Sequence, residues 1–486
     1  MNVIKKLVEN VPDFHSFMTV DELNESSKKL ADTYPDKVKL MEIGKSRDGD
    51  PILCLKIGDG DLKALLYAFP HPNEPVGSLM LDYLSWKLVE DDELRKTFNF
   101  TWYIVKVADP DGARLNEGWF KTPESFKAYV LNYYRPAGNQ QVEWTFPIKY
   151  KTLNFQDPIP ETKALMEIIE SEKPDFIYSL HNAGFGGVYY YITEEALLLY
   201  PIYQKVVKDR DLPLSLGEPE MPYAVKLDDA VYLMPTVEQT YDYYEKYTDK
   251  DPAEMIKSGN SSYGFAKNFN PDVFELVCEV PYYYDERIED TDPTDKVRRE
   301  LVLKNLKLAE ESLRKLENYF ERLRDKLVVK TRFQEALEYF IETGLSSLEA
   351  EKKWAETSEE LERKATVAEE FDNIWCSRSY RLFMWGMFKR MLDANISKNN
   401  DEQLKEIRNE TLDLINKEVE LLEKNVKFNV IPIKKLVEIQ LLSGLYGVTD
   451  RHANRAAPRP QTFYIFSKKA FRVKRKGEVF QKSGQK

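Results

Sequence analysis

Apolar positions recur with two periods along this chain, and the period changes near residue 290. Before that point, short apolar runs of strand length alternate with amphipathic stretches of helical length. Residues 19–33 read as a helix, with Thr19 or Asp21 at its start. The runs Val38 to Ile43 and Ile52 to Ile57 flank Gly44-Lys45-Ser46-Arg47-Asp48-Gly49-Asp50 and predict a hairpin. Gly44-Lys45-Ser46 imitates the end of a phosphate-binding loop, but Lys39 stands where that motif needs its first glycine, so a plain turn is expected. Lys63 to Phe69 predicts a buried strand and Val76 to Val89 a helix. Residues 100–107 predict another strand, ending in a turn at Asp109-Pro110-Asp111-Gly112. An aromatic, irregular region covers Trp119 to Phe155. Pro160-Glu161-Thr162 opens a helix to about Glu172, Asp175 to Leu180 is a strand, and Val273 to Glu279 is one more. Strand, helix and strand in repetition argue an α/β sheet with helices on its faces.

Beyond residue 290 the pattern is helical. Asp292-Pro293 reads as the N-cap and first position of a long helix. Along it Val302, Leu306, Ala309, Leu313, Leu316, Phe320, Leu323 and Leu327 alternate spacings of four and three, a heptad seam. The seam suits a helix pair within the chain, the preferred reading, or a homodimer through residues 292–330. Charged helical segments follow at roughly 332–343, 346–370, 372–394 and 401–425. Three regions are therefore expected: an α/β unit over 1–290, a mainly α-helical domain over 291–450 and a basic tail over 451–486.

Composition narrows the function classes. The 486 residues carry a net charge of −12, which argues against nucleic acid as a partner. Cys54, Cys278 and Cys376 are far apart and indicate neither a disulfide framework nor a cysteine metal site. Residues 1–6 run into polar sequence without a signal-peptide core, and no apolar run is long enough to span a membrane. A cytoplasmic protein with no membrane partner is the expectation.

The candidate chemistry lies where strands end. His71 follows one predicted strand and Glu74 opens the next helix, across Pro70-His71-Pro72-Asn73-Glu74-Pro75. In open α/β sheets that edge is where ligands bind. His181 ends another strand, before Asn182-Ala183-Gly184-Phe185-Gly186-Gly187. Two histidines and a glutamate with a fourth position open to water make a catalytic zinc set. The same residues also fit two polar loop histidines unconnected in space. His15 and His452 have no acid or cysteine at ligand spacing, or sit among arginines, and are read as uninvolved.

The first 290 or so residues resemble the zinc metallocarboxypeptidase family, the carboxypeptidase A-like enzymes. The likeness rests on His71-Pro72-Asn73-Glu74 with Gly77, the Pro110-Asp111-Gly112 turn, and a third histidine after a strand. It implies a mixed sheet flanked by helices and a Zn2+ ion held by His71, Glu74 and His181. It also implies a glutamate base on a late strand, for which Glu275 and Glu279 are candidates and Glu279 is preferred because the strand then runs out at Pro281. Arg135 matches the family's oxyanion arginine, with Arg114 as the runner-up. The chain departs from the family where an Asn-Arg pair would bind a terminal carboxylate, since Glu143 and Trp144 stand there. An acid and an indole cannot replace a bidentate guanidinium for an anion. Gln141 replaces the acid expected to orient the first zinc histidine, and its carbonyl could take that hydrogen bond. Met255 replaces a tyrosine before Ser258-Gly259, leaving Tyr263 as a substitute proton donor. The resemblance implies a zinc metallopeptidase acting near the end of a peptide or small peptide-like substrate. Runner-up readings are an amidase like the γ-D-glutamyl-diamino acid peptidases, a deacylase of acylated amino acids, or a catalytically silent protein that binds a partner through its helices.

Overall fold

The computed structural model describes residues 2–456. In chain order the strands are β1 (Val38–Lys45), β2 (Pro51–Ile57), β3 (Leu62–Ala68), β4 (Phe100–Val105), β5 (Ile148–Tyr150), β6 (Leu153–Phe155), β7 (Phe176–Leu180) and β8 (Tyr189–Ile192). They continue as β9 (Lys226–Asp228), β10 (Val231–Leu233), β11 (Phe274–Glu279), β12 (Tyr283–Tyr284), β13 (Pro293–Val297), β14 (Lys364–Thr366) and β15 (Asn429–Val430). Among the described residues one nine-stranded sheet runs β1-β2-β4-β3-β7-β11-β8-β10-β9. Its centre, β4-β3-β7-β11, is parallel, and antiparallel pairs flank it on either side. Parallel strands need both faces covered, which is why β3, β4, β7 and β11 are buried along almost their whole length. The expected mixed sheet with helices on its faces, followed by helices, is the architecture observed.

The α/β expectations hold with small shifts. Thr19 caps the Val20–Thr33 helix, and Glu22 closes a capping box with it. The β1-β2 hairpin turns at Ser46–Asp50. The region expected to be irregular contains the Phe126–Asn132 helix and the β5-β6 hairpin. Two Asp-Pro pairs behave opposite to expectation. Asp109-Pro110 begins the Pro110–Phe120 helix instead of a turn, with Asp109 Oδ1 accepting from Gly112 N at 2.9 Å. Asp292-Pro293 begins strand β13 instead of a helix, because β14 pairs with it and Val367 N donates to the Asp292 carbonyl. The long helix starts later, at Arg298, and runs to Leu323.

The heptad seam is filled within the chain. Leu316 and Leu323 are fully buried, and Leu313 packs against Gly344 of the Arg332–Thr357 helix. On the same helix Tyr319 stacks on Phe388 and donates to Glu410, and Ser312 accepts from Trp385. Most of the seam is therefore used within the chain, and nothing in the structure supports the homodimer through residues 292–330. Helices Arg332–Thr357, Ser377–Ile396 and Glu402–Asn425 complete this layer. The Ile433–Ala456 helix then returns to lie across β7 and β11, and the basic run expected at 468–486 lies outside the described residues.

Candidate active site

Strands β3, β7 and β11 end side by side, and their carboxyl ends deliver His71, His181 and Glu279 to one cavity. Phe69, which precedes the first turn, takes φ of +56°, a left-handed conformation that is costly for an aromatic residue. Full burial and stacking on Phe120 hold it there. The turn closes with Glu74 N donating to the His71 carbonyl at 3.1 Å, which brings imidazole and carboxylate onto the same side. Asn182 locks this turn to the neighbouring strand end. Its Oδ1 accepts from Val76 N at 3.0 Å, its own N–H donates to Glu74 Oε2 at 3.2 Å, and Tyr282 donates to the Asn73 carbonyl at 3.0 Å.

His71, Glu74 and His181 are all buried, and one donor atom from each lies within 4.8 Å of the others. His181 Nδ1 is 3.1 Å from Glu74 Oε2, and the imidazole rings are 4.9 Å apart. His71 Nδ1 and Glu279 Oε2 are buried and unpartnered. Burying such atoms without a partner costs about 1–3 kcal/mol each, so a cation that accepts their lone pairs suits this set. Two nitrogens and a carboxylate match zinc in ligand type and number.

The electrostatics point the same way. Burial pulls His71 well below its ordinary pKa, helped by the Arg135 charge and by His181, so it stays neutral and able to ligate. Burial acts against charge on His181 too, but the Glu74 hydrogen bond and the Glu74, Glu279 and Glu143 charges overcome it and carry His181 up to about 9. The carboxylates around His181 thus draw positive charge to this point. Burial pushes Glu279 well above the carboxylate range, with the His181 charge opposing. Its Oε1 is 3.7 Å from His181 Nδ1.

Arg135 reaches the cluster: Nη1 is 3.3 Å from Glu74 Oε1, Nε donates to Gln141 Oε1 at 3.2 Å, and the guanidinium lies over Trp144. The Gln141 carbonyl also faces the His71 ring, where it opposes the depression of that pKa. Arg114 is elsewhere. It pairs with Asp50 at 2.6 Å and Asp21 at 2.7 Å and does not line the cavity, because the helix it sits on turns that side chain outward. Tyr263 does not line the cavity either; it packs, partly buried, against the core cluster that contains Phe146 and Phe265. Glu275, the other candidate for the base, is buried, accepts from Ser262 at 2.8 Å and does not line the cavity. Glu143 lines the cavity with its carboxylate already engaged by Tyr67, Ser179 and Ser262. Trp144 is 40% exposed and edges His71 at 5.2 Å.

The cavity, about 660 Å³, is larger than sequence motifs suggest. Tyr189 and Tyr191 donate to Glu220 at 2.6 and 2.8 Å on one wall. Tyr223, Tyr243 and Tyr244 form another, and the Arg332–Thr357 helix adds Tyr339, Ser347 and Glu351. No motif marks these positions. The aromatic density of residues 241–247 is the one signal that could have drawn notice.

Residues 23–212 match the family model described as zinc carboxypeptidase. Zinc carboxypeptidase A 1 of Anopheles gambiae is 24% identical over 200 residues, 39% of this chain and 45% of the relative. The chain thus spans less than half the length of the curated relative it matches. Among solved structures, carboxypeptidase A from Helicoverpa armigera is 15% identical, with a TM-score of 0.38 over 74% of this chain and 80% of that one. Bovine thrombin-activatable fibrinolysis inhibitor is 12% identical, with a TM-score of 0.36 over 70% and 97%.

Proposed function

We propose that residues 23–212, which match the zinc carboxypeptidase family model, form a domain of that kind, and that the chain is a zinc-dependent metallopeptidase hydrolysing a terminal amide bond of a peptide-like substrate. The observation that carries the reading is the buried His71–Glu74–His181 group, opening into one cavity with Glu279 and Arg135. Zinc held by His71, Glu74 and His181 would supply a Lewis acid able to polarise a carbonyl and lower the pKa of water toward about 7. Glu279 holds and returns the proton at its Oε2, a role that its burial-raised pKa favours. The Arg135 guanidinium offers positive charge to an oxyanion beside the cluster. Ser179 Oγ, 2.9 Å from His181 Nε2, fixes the orientation of that ring. Glu143 and Trp144 stand where the family resemblance puts its carboxylate-binding pair, Arg135 is the only arginine lining the cavity among the described residues, and Glu143 is saturated by three hydroxyls. Trp144 therefore supplies an apolar wall in that place.

The test pairs elemental analysis with a peptide digest read by mass. Zinc-loaded protein should cleave terminal residues, and Glu279→Gln should keep its zinc while losing about 10²–10⁴-fold in rate. Absence of any cleavage by the zinc-loaded protein, or an undiminished rate in Glu279→Gln, overturns the proposal.

A further inference from the structure

Three acids beyond Glu74 and Glu279 line the cavity, and they are not equivalent. Glu143 accepts from three hydroxyls and Glu220 from two. Glu351 accepts from nothing among the described residues, although its neighbour Lys352 is paired away with Glu310 at 3.2 Å. Burial pushes its carboxyl up to about 7, and no lysine or arginine among the described residues pairs with it. Beside it stand Tyr223, Tyr243 and Tyr244, whose hydroxyls all feel its charge. The Tyr223 and Tyr243 rings are 5.1 Å apart and those of Tyr243 and Tyr244 5.6 Å. Tyr243 is 7% exposed, and its hydroxyl has no partner. Among the described residues, Arg135 is the only lysine or arginine in the lining, and it is engaged with Glu74. Aromatic faces beside an unpaired carboxylate make a box suited to a cation.

We propose that the Arg332–Thr357 helix completes a recognition box for a cationic side chain or amine of the substrate, with Glu351 as its anionic wall and Tyr223, Tyr243 and Tyr244 as its aromatic ones. All four residues lie outside the segment that matches the zinc carboxypeptidase family model. The helical addition thus supplies specificity to a cavity whose chemistry comes from the sheet. This inference rests on the cavity being a peptide site.

Binding rather than turnover tests it. Zinc-loaded Glu279→Gln protein is titrated calorimetrically with acetyl-X-Ala-Ala-amide and acetyl-Ala-Ala-X-amide, where X is lysine, norleucine or glutamate. In at least one series lysine should bind about tenfold tighter than norleucine, and glutamate weaker than both. Adding Glu351→Gln should bring lysine and norleucine within about threefold, while Glu351→Asp keeps part of the preference. Equal affinities in both series, or a lysine preference untouched by Glu351→Gln, overturn the inference. Lysine selectivity in a protein that cleaves no peptide would sink the peptidase reading and leave the box intact. Cleavage without charge preference would do the reverse.

Discussion

At the scale of single residues, His71 and His181 face each other yet carry opposite tendencies. Burial beside Arg135 disfavours positive charge on one, while three glutamates favour positive charge beside the other, a charge that a bound cation would supply in place of a proton. The difference comes from which carboxylates each ring can see, and not from the rings. Arg135 takes part on both sides, since it repels charge on His71 and pairs with Glu74. Replacing it by methionine should therefore lower kcat by about 10²–10³ with zinc retained, the usual effect of losing an oxyanion donor. Arg114→Met should leave kcat unchanged and cost at most about 1 kcal/mol, because its ion pairs with Asp21 and Asp50 are partly solvated. Steady-state kinetics on the two variants separate the arginines, and an equal loss in both would show the assignment to be wrong. His71, His181 and Glu279 were legible because each lies at or just past a strand end that the apolar pattern marks sharply, and Glu74 because it opens the next helix three residues after His71. Glu220 and Glu351 were not, because nothing local distinguishes them from the other acids on charged segments. They matter only through what the fold packs beside them.

Elements show why two Asp-Pro pairs were misread in opposite directions. Asp followed by proline is a good helix start and an equally good turn or strand start, since proline fixes φ without choosing the next ψ. Tertiary partners decided: β14 recruits Asp292-Pro293 into a ladder, while Asp109-Pro110 enters a helix under Arg47. That buried cap has a measurable signature. Burial carries Asp109 up to about 7 despite Arg47 and the Gly112 N–H, against an ordinary value of 3.8, and its Oδ2 is unpartnered. A raised carboxyl pKa means the folded state holds its proton longer than the unfolded chain. This group therefore subtracts stability as pH rises above 3.8, and the loss is complete once pH passes about 7. Asp109→Asn keeps an N-cap side chain and removes the titration. Its stability relative to the parent should rise by about 2–3 kcal/mol between pH 5 and pH 8 in urea melts. A pH-independent difference would contradict the buried, proton-retaining cap.

On the scale of the whole molecule, the returning C-terminal helix binds the two halves of the chain. Ile433–Ala456 lies on β7 and β11, the strands whose ends carry His181 and Glu279. Gly444 lets it approach so closely that a Cβ there would fall 2.7 Å from the Tyr178 ring, and Tyr178 donates to the Gln440 carbonyl at 3.0 Å. Gln440 Nε2 in turn donates to the His181 carbonyl at 2.8 Å, so the last described helix positions the backbone of a metal-ligand candidate. The apolar face made by Phe176, Tyr178 and Tyr190 shares one core with Leu436, Val437 and Leu445. Removing the helix would leave that sheet face open to water, and each large side chain so exposed forfeits about 1.5–3 kcal/mol of burial. A marginal total stability of about 5–15 kcal/mol cannot absorb several such losses. A fragment ending at residue 290 should therefore show no cooperative urea transition and take up no stoichiometric zinc. One ending at residue 456 should do both. Within the intact chain, Gly444→Val should lower stability by about 1–3 kcal/mol through overpacking and weaken zinc uptake in parallel, as read by chelator competition. If residues 1–290 fold cooperatively and bind zinc alone, the helix is an accessory. If they do not, the half of this chain that carries the candidate site owes its sheet to a segment more than 150 residues downstream of its last strand-borne glutamate.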